Sequence, residues 1–271
     1  MNADAVIRRN NVRVLGRPDG PVLVLVQGFG CDQVVWDPIL PEFTDTHRVV
    51  LLDHVGTGGA DPEAYDPLRY ASLEAYLADL MEVLEVLDLQ DATIVGHSIA
   101  GMMGLSAATR TPRIGRLVLL GGTARYLNDD GYVGGFEPAE AEELLRSVDA
   151  NYPLWVAAVA PGVVGKEPGS GLSSYFADRL CRLHPDYVRD FLQMSLAADV
   201  RHLLPRVQVP ALVLQTRDDP LSPASASNYL FEHLPAGTRT MLAVRGNLPH
   251  LSAPRLTAQA VHDFLKTERH A

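Results

Sequence analysis

The most constraining feature of the chain is residues 93–101, Thr-Ile-Val-Gly-His-Ser-Ile-Ala-Gly. A β-branched run enters a turn of small residues, and an apolar helix-forming stretch follows. A serine in such a turn stands at a helix N-terminus, where free N–H groups and the helix dipole favour developing negative charge. Ser98 is therefore the candidate nucleophile. Ala100 occupies the last place of a Gly-x-Ser-x-Gly pattern and is small enough to keep the turn. The same serine would also suit a plain N-cap, so the rest of the chain must supply its partners.

The apolar runs that flank this turn recur. Unbroken β-rich segments at residues 21–26, 48–52, 92–95, 117–120, 211–214 and 238–242 predict strands buried on both faces. Helical periodicity at 73–87, 99–109, 224–234 and 256–265 falls between them. This alternation predicts an α/β fold with a mostly parallel, doubly wound sheet. Val6-Ile7 and Val12-Val14-Leu15 around Arg9-Asn10-Asn11 predict an N-terminal antiparallel hairpin. From 128 to 205 only helical patterns appear, at 140–148, 152–159, 172–183 and 185–197, punctuated by Gly, Pro and Ser. The expected organisation is a core of residues 1–127 and 206–271 with a helical cap, 128–205, inserted in it.

A serine nucleophile needs a base and an orienting acid. On such a sheet they should follow later strands in the order acid, then histidine. After 211–215 come Asp218 and Asp219, both candidates for the acid. After 241–244 comes Arg245-Gly-Asn-Leu-Pro-His250, which makes His250 the candidate base. Acyl transfer also needs oxyanion donors. The backbone N–H groups of Ile99 and of Phe29, in Gln27-Gly-Phe-Gly30, are the candidates. His97 is expected beneath the turn, lining the pocket floor. His47, His184, His202, His233, His262 and His270 show no metal spacing.

Several stretches together resemble one branch of the α/β-hydrolase superfamily, which holds RsbQ-like bacterial stress regulators and the plant strigolactone and karrikin receptors. Residues 28–36, Gly-Phe-Gly-Cys-Asp-Gln-Val-Val-Trp, resemble its oxyanion-loop motif, and Asp53-His-Val-Gly-Thr-Gly58 its next loop. Tyr126-Leu-Asn-Asp129 and Gly134-Gly-Phe136 resemble its entry into the cap, and 245–252 its histidine loop. Two departures stand out: Gln27 where relatives usually have His, and Asn247 where they commonly have His or another residue. The family pattern sets the acid four residues before a proline, which selects Asp219 ahead of Pro223. The resemblance implies a helical lid over an apolar pocket, with Phe29, His97, Phe136, Trp155, Val159, Phe191 and Ser195 as pocket candidates. It implies a serine hydrolase of a small hydrophobic ester or lactone without metal or organic cofactor. Its alternative is a receptor or signalling protein that turns its ligand over slowly and acts with a phosphatase-type partner.

Composition narrows the partners. A formal net charge of -10 makes nucleic acid and anionic membrane surfaces poor ones. Two distant cysteines, Cys31 and Cys181, form no disulfide framework and fit a reducing compartment. The N-terminal residues carry no basic-then-apolar signal pattern, so the expectation is a cytoplasmic monomer.

Overall fold

The computed structural model describes residues 2–267. His270 therefore lies outside the described residues. In chain order the elements are α1 (Ala3–Arg9), β1 (Arg13–Gly16), β2 (Val22–Val26), β3 (Arg48–Leu51), α2 (Leu73–Val86), β4 (Ala92–His97), α3 (Ile99–Ala108) and β5 (Ile114–Leu120). Four helices follow, α4 (Pro138–Ala150), α5 (Tyr152–Val164), α6 (Gly171–Leu180) and α7 (Pro185–Ala197). Then come β6 (Ala211–Asp218), α8 (Ala224–His233), β7 (Gly237–Arg245), α9 (Pro249–Ser252) and α10 (Pro254–Leu265).

The seven strands form one sheet in the order β1-β3-β2-β4-β5-β6-β7. Only β1 runs antiparallel, against β3. The strands read from their apolar runs are thus borne out as a mostly parallel sheet, but the run 238–242 is not buried on both faces: β7 is the edge strand, and Thr238–Met241 are exposed. Strand β4 lies at its centre, with all six residues buried, because helices cover both faces. That places the end of β4, and Ser98 after it, at the middle of the sheet's C-terminal edge, where open α/β sheets present their ligand sites.

The N-terminal hairpin is corrected. Residues 3–9 are helical: the Asn2 side chain accepts from the Asp4 N–H, and Arg8 and Arg9 occupy the last turn. Arg9 then ties the helix to α2 through Asp79 at 3.1 Å and Glu82 at 2.5 Å. The antiparallel pair exists, but β1 makes it with β3.

Helix α5 is longer than its sequence pattern suggested. Pro161 was expected to end it, yet it runs to Val164. A mid-helix proline removes one backbone hydrogen bond. Burial of Trp155, Val156, Ala160 and Val164 on one face offsets that loss. No helix among the described residues is long and apolar enough to cross a membrane.

Strand β4 and helix α3 approach closely at Gly96. A Cβ there would lie 2.5 Å from the Ala100 carbonyl oxygen and 2.7 Å from the Gly101 nitrogen. Both are backbone atoms that cannot swing away. Gly96→Val is expected to cost about 3 kcal/mol and lower the melting temperature by roughly 10 °C. An unchanged circular-dichroism melt would show that the approach is looser than this.

Candidate functional site

Ser98 sits on the turn between β4 and α3 with φ 57° and ψ -123°. A non-glycine residue in that region is strained, and such strain persists where surrounding structure holds it. Its side chain does not cap α3, so the plain N-cap role does not describe it. Its Oγ instead shares a 2.8 Å hydrogen bond with the Tyr126 hydroxyl. Tyr126 is buried, which pushes its phenol well above the usual range and keeps it neutral.

The loop after β2 closes over this turn. A Cβ on Gly28 would lie 2.8 Å from the Ser98 Cβ, so only glycine allows the approach. Asp32 caps the short turn Gln33–Trp36 by accepting from the Val34 N–H. Buried Asp53 holds the same loop, accepting from Gln33 through its backbone N–H at 2.8 Å and its amide at 3.1 Å. These bonds explain the Asp-Gln part of the Asp-Gln-x-x-Trp pattern as loop architecture. Phe29, the residue after Gly28, offers a backbone N–H with no backbone partner among the described residues. Ile99 is the first residue of α3, where the N–H has no acceptor within the helix. One candidate oxyanion donor therefore follows Ser98 in sequence, and the other belongs to the loop that packs against Ser98 at Gly28.

Asp219 follows β6, and both its oxygens are engaged. Oδ1 accepts from the N–H groups of Leu221 at 2.9 Å and Ser222 at 3.1 Å. Oδ2 accepts from the Asn247 side-chain amide at 2.7 Å. Burial raises its pKa to about 6, although these donors pull it down. Asp218 instead pairs at the surface with Arg245.

His250 requires a correction. It makes no hydrogen bond to Ser98 or Asp219: neither ring nitrogen has a partner among the described residues. Pro249 starts α9, a single turn that turns His250 into the core. There its ring stacks on Trp36 at 4.3 Å and meets His97 edge-on at 4.7 Å. It lies outside the cavity lining, and burial drives its pKa well down.

Asn247 stands next to the acid instead. Its amide nitrogen donates to Asp219 and, at 3.3 Å, to the Gly121 carbonyl. Its side-chain oxygen accepts from His97 Nε2 at 2.8 Å. The same His97 nitrogen also donates to the Asn247 backbone carbonyl at 2.9 Å, while Nδ1 accepts from the Gly28 N–H at 3.1 Å. His97 is thus a neutral Nε2–H tautomer, its pKa lowered to about 4 by burial.

Above Ser98 lies a cavity of about 330 Å³. Phe29, His97, Phe136, Trp155, Val159 and Ser195 all line it, as the family resemblance implied. Phe191 does not: it is buried against Phe29, Tyr76 and Tyr187. The sequence reading missed Tyr126, Leu144, Phe176, Leu180, Asn247 and Leu248. Helical periodicity in α4 and α6 could have offered Leu144 and Phe176, but it does not say which cap face meets the core. Cys31 is buried beside the oxyanion loop, and burial pushes its thiol far up, which leaves it inert.

A family model described as the alpha/beta hydrolase family matches residues 23–260. The chain is 39% identical to the strigolactone esterase D14 of Arabidopsis thaliana, over 96% of this chain and 97% of that protein. It is 36% identical to karrikin insensitive 2 receptor CA of Petunia hybrida, over 90% and 91%. A solved structure of a hydrolase from Oleispira antarctica superposes with a TM-score of 0.93 and 31% identity, covering 98% of both chains. With a matched family model over most of its length and a strained serine on the turn at the end of the central strand, this chain belongs to the α/β hydrolase family.

Proposed function

We propose that this protein takes a small hydrophobic ester or lactone into the cavity above Ser98 and hydrolyses it slowly, as a receptor does rather than a metabolic esterase. The observation that carries the reading is the cavity itself: an apolar chamber of about 330 Å³ with Ser98 and Tyr126 at one end. Its volume suits a compact ligand. The aromatic rings of Phe29, Phe136 and Trp155 and the aliphatic side chains favour an apolar one. The N–H groups of Phe29 and Ile99 act as the oxyanion donors, and helices α4–α7 form the lid. Relatives named as a strigolactone esterase and as a karrikin receptor support both hydrolysis and ligand sensing.

Slow turnover follows from what Ser98 lacks. Among the described residues, its one side-chain hydrogen bond is to a neutral phenol, which cannot take its proton at neutral pH. That observation favours the receptor reading. In it the chain works as a cytoplasmic monomer, and a phosphatase-type partner of the RsbQ kind reads the occupied state.

A fluorogenic butenolide ester tests the proposal. Saturable quenching of Trp155 fluorescence is expected, with turnover below about 0.1 s⁻¹, since ordinary enzymes run near 10 s⁻¹ and a positioned base supplies at least a hundredfold. Absence of binding would reject the cavity as the site. Turnover at ordinary enzyme rates would make the protein a metabolic esterase.

A further inference from the structure

We infer that Asn247 occupies the seat of the catalytic base, so that the site holds Ser98, Asn247 and Asp219 and hydrolyses its ligand only as fast as solvent hydroxide allows. The inference rests on the ester-or-lactone reading above and assigns the chemistry within it.

The geometry is that of a truncated imidazole. Asparagine and histidine share a Cγ carrying two δ atoms, and histidine extends further to Cε1 and Nε2. The Asn247 amide nitrogen makes the bond to Asp219 that an imidazole Nδ1–H would make, at 2.7 Å. Nothing then extends from Asn247 to receive the Ser98 proton. The amide is also engaged: its nitrogen donates to Asp219 and Gly121, and its oxygen accepts from His97. An amide in any case has no proton affinity suited to general-base work.

No neighbouring group replaces it. The ionisable groups around Asn247 are His97 of β4, Asp219 after β6, Tyr126 after β5 and, behind His97, His250 of α9. His97 commits Nδ1 to the Gly28 N–H and its Nε2–H to Asn247. Asp219 has both oxygens engaged and does not line the cavity. Tyr126 is a neutral phenol, and His250 lies between Trp36 and His97, away from the cavity.

The reaction left to such a site is hydroxide addition to the ester carbonyl carbon. The oxyanion sits between the Phe29 and Ile99 N–H groups. Its collapse breaks the bond to the alkoxide, which takes the proton of the newly formed acid, giving carboxylate and alcohol. The seat itself is intact, so histidine should fit it. His97 keeps the Asn247 backbone carbonyl as its acceptor when the side-chain oxygen is lost.

The test is a pH–rate profile from pH 6 to 9 with p-nitrophenyl acetate, on the wild type, Asn247→His and His250→Gln, with butenolide binding followed separately by tryptophan fluorescence. The wild-type rate is expected to rise about tenfold per pH unit without an inflection, and His250→Gln to leave that shape unchanged. Asn247→His should run at least a hundredfold faster at pH 7 and gain a plateau above the pKa of its new histidine. A wild-type plateau near pH 7 that disappears in His250→Gln would overturn the inference. So would an Asn247→His protein that binds the butenolide yet gains no rate. If that variant fails to fold, the wild-type and His250→Gln profiles decide alone. Loss of binding in the wild type would instead strike the ester-or-lactone reading, whatever the profiles show.

Discussion

Ser98→Ala is expected to change the wild-type rate by no more than a few-fold, and to cost the Asn247→His protein about a thousandfold. Members of a triad act as one unit: losing the serine or the base alone costs nearly as much as losing both. What survives comes from the oxyanion donors and from binding. In the wild type the unit is already broken at Asn247, whose amide is engaged by Asp219, Gly121 and His97 and has no basic nitrogen. Ser98 then has nothing to give its proton to, and hydroxide attacks without it. Restoring histidine restores the unit, and the serine becomes indispensable. The check is a double-mutant cycle on p-nitrophenyl acetate at pH 7. A thousandfold loss from Ser98→Ala in the wild type would mean that a base already serves Ser98.

That cycle depends on a residue that sequence reading set aside, for a physical reason. The loop 245–250 offers an asparagine and a histidine three positions apart. Only histidine can carry a proton, so chemistry points to His250. Position in the fold points elsewhere. Pro249 begins a helical turn, and that turn sends residue 250 inward onto Trp36 while residue 247 stays beside Asp219. A one-dimensional motif records the order of strand ends but not which way each loop side chain faces. The turn that carries Ser98 was legible because its constraint is local: Gly96, Ser98 and Ala100 must be small or strained where β4 meets α3. The parallel strands were legible for the same reason, through buried runs such as Val22–Val26. The N-terminal helix was not, because Val6 and Ile7 suit a strand as well. What decides is the Asn2 cap and the ion pairs of Arg9 with α2, contacts distant in sequence. Phe191 misled similarly: its place on α7 is clear, but its ring backs Phe29 rather than facing the cavity.

The buried histidines carry a second large effect, on stability. His54, His97 and His250 are all held neutral by burial, with pKa values below the ordinary 6.5. A group depressed in this way contributes stability that is fully present above pH 6.5. It is lost as pH falls towards the folded value, because the unfolded chain binds the proton first. For His97, whose folded pKa is about 4, the loss by pH 5 is about 2 kcal/mol. His54 and His250 act in the same direction. Asp219 opposes them: its pKa is raised to about 6, so protonating it between pH 7 and 5 returns about 1 kcal/mol. Asp79, also raised by burial, opposes them as Asp219 does, and half-buried His47, also lowered, adds to them; the balance is a net loss, and in a chain of this size it lowers the melting temperature by roughly 5 °C between pH 7.5 and pH 5. His250→Phe keeps the stacking surface against Trp36 without a titrating ring, and should make that fall shallower. Melting curves of both proteins at the two pH values provide the measurement. Equal melting temperatures for the wild type at pH 7.5 and 5 would show that these rings are protonated without cost, and that the core around His97 admits water.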